Sequence, residues 1–134
     1  YKAPLLLDKL DRFIPRDALR IIGITDIDIY DEGLNFIFGE ARGKACIISE
    51  NRFRPCGEIK EKNVREKVFD RVIKTVVHEL GHTFGLKHCK KKECVMYFSN
   101  WVRDTDRKSK YFCSFHSNKL KRQGIPLAKK IVNF

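Results

Sequence analysis

The residues best placed to do chemistry lie within eleven positions, His78, Glu79, His82, Gly85 and His88, spaced as H-E-x-x-H-x-x-G-x-x-H. On an α-helix, residues four apart stand on one face, about 40° apart in rotation and roughly 6 Å apart along the axis. His78 and His82 can therefore reach one metal ion together. Glu79, one residue along, reaches past the metal and can take a proton from water there. A straight helix would carry a third ligand away, but glycine adopts left-handed backbone angles at little steric cost. Gly85 thus lets the helix stop and the chain turn back, and His88 approaches from the loop. Three protein nitrogens leave one position open, the layout of a catalytic rather than a structural zinc. A zinc in that setting lowers the pKa of water to about 7.

A second set of ligand types follows at once. Cys89 adjoins His88, Cys94 comes five residues later, and Cys113 and His116 form C-x-x-H. Three cysteines and one histidine can close a tetrahedral structural zinc site. The competing and less favoured reading is three reduced thiols and a surface histidine. Met96 reads either as a core side chain or as the apolar residue of a tight turn beneath the metal. It is the only methionine in the chain and closely follows His88, which favours the turn. Cys46 and Cys56 lie apart and read as ordinary thiols.

The elements that must position these residues follow from periodicity. Pro4 and apolar Leu6, Leu10 and Phe13 predict a helix over 4–13, ended by Pro15. Strands are expected over about 19–29, 34–38 and 44–49, with turns at Gly33 and Gly43. From about Glu61, Val64, Val68, Val72, Val76 and Leu80 repeat every four residues, widened by Phe69, Ile73 and Val77. This predicts a long amphipathic helix to about Phe84, capped by Asn63 with Glu66. The two histidines and the glutamate then sit near its C-terminal end. The segment after His88 is charged and cysteine-bearing and reads as an irregular appendage held by metal.

Composition bounds the rest. With 134 residues and 43% hydrophobic content, the chain suits one domain over 1–134 that can bury a core without disulfides. It divides into a sheet and active-site helix part over 1–85 and a smaller part over 86–134. No apolar run approaches a membrane span. Clustered cysteines in odd number favour a reducing compartment, the cytoplasm. The formal charge of +11 sits partly in runs such as 90–92, 119–122 and 129–130. Without a nucleic-acid module these runs read as a solvated lysine-rich surface, and a nucleic-acid partner is not expected. The chain is expected to be monomeric and to act on a peptide or protein.

The run H-E-L-G-H-T-F-G-L-K-H-C-x4-C-x-M with its distal C-x-x-H resembles the archaemetzincins, a family of zinc metallopeptidases. The stretches 23–30, 34–40 and 98–106 resemble that family too, so the likeness spans about residues 15–122. It implies an α/β (α+β) fold of the compact metzincin type. That fold has a twisted mixed sheet with an antiparallel edge strand, a backing helix, a long active-site helix, and a zinc-pinned C-terminal segment with a helix. It implies two zinc ions per chain. The catalytic ion would bind His78, His82 and His88, with Glu79 as general base and Met96 in the Met-turn. The structural ion would bind Cys89, Cys94, Cys113 and the fourth distal position. The family pattern has cysteine at that position, where this chain has His116. The resemblance also implies an N-terminal strand and helix ahead of the region matching Tyr1. An extended substrate is expected along the edge around residues 35–39. The competing reading is a non-catalytic zinc-stabilised module that binds an acidic protein or nucleic acid through its basic runs.

Overall fold

The structure is a computed structural model, and it describes residues 1–55, 57 and 60–127. Cys56 and the basic pair at 129–130 lie outside the described residues. Helix α1 (Ala3–Phe13) starts with Pro4 in its first turn and stops at Ile14, which is extended ahead of Pro15. Strand β1 (Ile21–Thr25), strand β2 (Gly39–Arg42) and strand β3 (Ala45–Ser49) form one sheet in the order β1-β3-β2. β3 runs parallel to β1 and antiparallel to β2, so the sheet is mixed with an antiparallel edge strand. Every residue of β3 is buried, as a central strand covered on both faces requires.

Each face of the sheet meets a helix. On one side Leu7 and Ala3 of α1 pack on Ala45, Ile47 and Ile29. On the other side Val72 of helix α2 (Glu61–Thr83) packs with Cys46, Ile48, Phe38 and Phe53. The four-residue valine stripe is what turns α2 onto the sheet. Among the described residues, no helix is long and apolar enough to cross a membrane.

Three expectations need correction. The strand expected at 34–38 is irregular chain with one bridge, Ile29 to Ile37, and the ladder begins at Gly39 instead. Phe36 and Phe38 gave the stretch its strand-like look. Their rings instead form an aromatic cluster with Phe53 and Trp101. The strand expected over 19–29 forms a ladder only over 21–25, and Ile29 adds a single bridge beyond it. The first residue before α2 is Lys60, without a side-chain cap, so Asn63 lies inside the first turn rather than capping it.

After α2 the chain folds into a third core cluster around Leu86, Cys94, Val95, Met96, Cys113 and Leu120. It carries two short helices, α3 (Val102–Arg107) and α4 (Ser114–Arg122), so the segment is more regular than its composition suggests. Met96 is fully buried against α2 at Gly81. A β-carbon built on Gly81 would fall 2.5 Å from the Met96 sulfur. α3 is tied to α2 by a two-pronged pair, Arg71 Nε and Nη2 donating to Asp106 Oδ1 and Oδ2, both at 2.8 Å. Burial alone would raise the Asp106 carboxyl, but the Arg71 bonds and charge, with Lys67 adding, hold it below the usual aspartate value.

Both contacts can be weighed by denaturation. Gly81→Ala overpacks the Met96 contact and should cost about 2 kcal/mol in urea denaturation; an unchanged midpoint would mean Met96 is free to move aside. Asp106→Asn leaves the Arg71 guanidinium buried without a carboxylate. It should cost about 2 kcal/mol, the low side for a buried pair because Asp106 is 26% exposed. The Asp106 pKa is depressed on folding, so its contribution is present above about pH 4 and disappears as pH falls through the folded value. The wild-type advantage over Asp106→Asn should therefore shrink on acidification from about pH 7 to about pH 3, and an advantage that grew would contradict the pairing.

Candidate metal centres

The end of α2 is built to stop. Gly85 has φ +85°, the Gly85 N–H donates to the His82 carbonyl, and the Leu86 N–H donates to the Gly81 carbonyl. This is the Schellman arrangement that glycine permits. The remaining end carbonyls also find partners. Arg20 Nη2 donates to Thr83 O at 3.0 Å, and Gln123 Nε2 donates to Phe84 O at 2.9 Å. The chain reverses and brings His88 back beside the helix.

The three histidines expected to act together do converge. His82 Nε2 lies 3.1 Å from both His78 Nε2 and His88 Nε2. His78 Nδ1–H donates to Val95 O at 2.7 Å and His82 Nδ1–H donates to Leu86 O at 2.8 Å. Those bonds place the proton on Nδ1 and the lone pair on Nε2 in both rings. Two lone pairs facing each other at 3.1 Å make no hydrogen bond, and a cation between them resolves the repulsion. Zinc–nitrogen bonds of about 2.0–2.1 Å at tetrahedral angles separate nitrogens by roughly 3.4 Å, so the set fits that ion. Burial, then the Lys108 charge, pushes the His78 pKa well down, and burial dominates at His82 and His88 as well. All three imidazoles are thereby kept neutral, the form that ligates.

Glu79 is 5% exposed and packs directly on the bare backbone of β2. A β-carbon on Gly39 would fall 2.9 Å from Glu79 Cγ. Burial pushes the Glu79 carboxyl up to about 8, with Lys108 opposing and Glu40 adding. A carboxyl near neutrality can both accept and return a proton. Beside it opens a cavity of about 260 Å³, walled by Phe36, Phe38, Phe98 and Trp101 and reaching Thr75 and Lys108.

The second ligand set also comes together. Cys89, Cys94, Cys113 and His116 each offer an atom within 4.8 Å of the others. Cys89 Sγ and Cys113 Sγ lie 3.9 Å apart, and His116 Nδ1 lies 3.2 Å from Cys113 Sγ and 3.9 Å from Cys94 Sγ. Zinc–sulfur bonds of about 2.3 Å separate tetrahedral sulfurs by roughly 3.8 Å. Backbone N–H groups of Lys91 and Cys113 point at Cys89 Sγ and Cys94 Sγ, as bonds to thiolate sulfur would. Burial would raise the Cys113 thiol, but bonds from the His116 and Phe115 backbone and from neighbouring thiols bring it below its usual value. Burial pushes Cys94 up to about 12, the cost a bound cation would cancel.

One residue that spacing did not single out belongs to this region. Lys108 is 4% exposed, and its Nζ donates to Tyr97 O at 2.9 Å and lies 3.4 Å from His78 Nδ1. Burial pushes it down to about 8, against the Glu79 and Cys94 charges. In sequence it is one lysine among many in a basic stretch, so nothing marks it.

Comparison with known proteins bears on all of this. The sequence profile of Peptidase family M54 matches residues 6–122. A protein named archaemetzincin from Thermococcus kodakarensis is 46% identical over 107 residues, covering 78% of this chain and 57% of its own length. The archaemetzincin of Methanopyrus kandleri is 43% identical over 84% of this chain and 61% of its own length. This chain thus spans about three fifths of the length of these relatives. The crystal structure of the Methanopyrus kandleri protein superposes with a TM-score of 0.80 at 41% identity, over 91% of this chain and 64% of that one. That of the Archaeoglobus fulgidus archaemetzincin, solved with malonate, gives 0.71 at 38% identity, over 89% and 68%. A zinc-dependent peptidase from Methanocorpusculum labreanum gives 0.80 at 31% identity, over 90% and 74%. On both profile and identity, this chain belongs to peptidase family M54.

Proposed function

We propose that the protein is a zinc-dependent peptidase with His78, His82 and His88 as the ligands of its catalytic ion and Glu79 as its general base. The observation that carries this is the convergence of three imidazole Nε2 atoms, two of them fixed as lone pairs, beside a buried carboxyl at a cavity. Zinc bound there supplies a Lewis acid that lowers the pKa of water to about 7 and polarises the scissile carbonyl.

The chain's own residues do the rest. The contact between Glu79 and Gly39 fixes the carboxyl on the side of the edge strand, where an extended substrate would lie. β2, the antiparallel edge, is the strand such a backbone can pair with, together with the irregular chain that precedes it. Glu79 accepts a proton from the attacking water as the new carbon–oxygen bond forms. It returns that proton to the amide nitrogen as the carbon–nitrogen bond breaks, so it ends as it began. Val95 O and Leu86 O hold two imidazoles in one tautomer throughout. Met96, packed under Gly81, fits the role of the Met-turn residue beneath the site.

The Cys89, Cys94, Cys113 and His116 set fits a second, structural zinc with no open position. Three thiols gathered around a histidine, rather than paired with each other, support a reducing compartment such as the cytoplasm.

Glu79→Gln should lower peptide hydrolysis by about 10²–10⁴-fold while elemental analysis shows the same zinc content as wild type. Equal hydrolysis by both proteins would remove Glu79 from the mechanism. Salt-sensitive partner binding indifferent to Glu79, with no hydrolysis, would favour the binding-module reading instead. Elemental analysis should return two zinc per chain for wild type and one for Cys113→Ser; one zinc in the wild type would end the second assignment.

A further inference from the structure

The described chain has two buried lysines, and only one of them is paired. Lys74 Nζ lies 3.0 Å from Asp70 Oδ2 and 3.3 Å from the carbonyls of Thr105 and Asp106. Lys108 Nζ has one acceptor, Tyr97 O. Its approach to His78 Nδ1 is no hydrogen bond, because that nitrogen already gives its hydrogen to Val95 O and has no lone pair to offer. Among the described residues, no carboxylate oxygen lies within 4 Å of it. An ammonium group removed from water with no carboxylate in contact is expensive to keep. Proteins keep such a group where something else supplies the opposite charge.

That something has a place to enter. Lys108 lines the cavity beside Glu79 and His78, whose walls include Phe36, Phe38, Phe98 and Trp101. Its volume of about 260 Å³ exceeds what a short acidic side chain needs. Aromatic walls suit methylene groups, and the cation beyond them suits the carboxylate at their end. Glu79 cannot itself serve as that counter-charge at hydrogen-bond range, since it is wedged against β2 at Gly39.

We propose that this cavity is a substrate subsite for a carboxylate, which is met by Lys108 Nζ. The carboxylate has two chemical sources, an Asp or Glu side chain beside the scissile bond or the free α-carboxylate of a peptide end. The subsite rests on the peptidase reading for its purpose, but it binds whether or not the bond is cut.

The test uses the zinc-loaded full chain and three N-acetylated alanine heptapeptides. The first has a central glutamate and an amidated C-terminus. The second is its glutamine counterpart. The third is alanine throughout and ends in a free α-carboxylate. Trp101 is the only tryptophan in the chain and lines the cavity, so its fluorescence reports occupancy directly. Wild type should bind the glutamate peptide at least tenfold more tightly than the glutamine peptide if a side chain is read. It should prefer the free-carboxylate peptide to the glutamine peptide by a similar factor if a chain end is read. In Lys108→Met, which keeps the length and removes the charge, the preference should fall to about onefold. Equal binding of all three peptides by wild type overturns the proposal, and so does a preference that survives in Lys108→Met. Should that variant fail to fold, the wild-type ratio decides alone. Product analysis of the same mixtures separates the two readings. Preference without cleavage keeps the subsite and removes the peptidase, whereas cleavage without preference does the reverse.

Discussion

The site depends on bringing three imidazole Nε2 atoms, two of them fixed as lone pairs, to within close to 3 Å of one another. Lone pairs at that distance repel, so the protein must hold them there by other forces until a cation arrives. Two of the three are held by carbonyls, Val95 O and Leu86 O, that accept from the far ring nitrogen. The third arrives only because α2 stops within one turn of His82. Stopping a helix leaves carbonyls without partners, and here each finds one. The backbone of Gly85 and Leu86 takes two, Arg20 takes that of Thr83, and Gln123 takes that of Phe84. Arg20 comes from ahead of β1 and Gln123 from the end of α4, so chain from both sides of α2 secures the turn.

The same requirement explains what could be read from the sequence. Ligand chemistry leaves fixed spacings, and a helix stop leaves a glycine. The set from His78 to His88 and the length of α2 were therefore legible in the residues alone. The cysteine cluster was legible for the same reason. Aromatic packing leaves no such signature. Alternating Phe36 and Phe38 looked like a strand, and only their neighbours Phe53 and Trp101 reveal a ring cluster with the ladder starting at Gly39. Asn63 and Glu66 had the spacing of a cap, yet α2 begins ahead of Asn63, at Glu61, with the Val64 N–H already donating to Lys60 O. Lys108 was invisible because sequence does not say which lysine of a basic stretch is buried.

The second ligand set shows how a substitution can be absorbed. The resemblance implies four cysteines, and the chain supplies His116 in place of one. Four thiolates around zinc would leave two net negative charges, and three with an imidazole leave one. In an environment that burial makes unfavourable for charge, as the raised Cys94 thiol shows, the smaller charge is the easier one to hold. Burial, against the carbonyl of Lys87, keeps the His116 ring neutral and so able to ligate through Nδ1. That carbonyl belongs to the residue before His88, so His116 stands directly against the loop that carries His88. Cys89 follows His88 immediately. The two ligand sets therefore share one short loop and are mechanically one unit.

That sharing extends to the substrate side. Arg71 and Lys74 lie two turns and one turn ahead of His78 on α2, and both grip the segment at 105–106, Arg71 through the Asp106 carboxylate and Lys74 through backbone carbonyls. Lys108 follows two residues later, so it is held in register with the helix that carries His78 and Glu79. A mobile lysine would simply turn to water, as lysines elsewhere on this basic surface do. The clamped segment and the bond to Tyr97 O together hold the Lys108 ammonium beside His78 at the cavity. Tyr97, whose carbonyl is its one acceptor, is itself one residue past Met96, which packs against Gly81 of α2. The Lys108 ammonium and the three imidazoles are thus positioned by the same few contacts. A change at α3 would be felt at both.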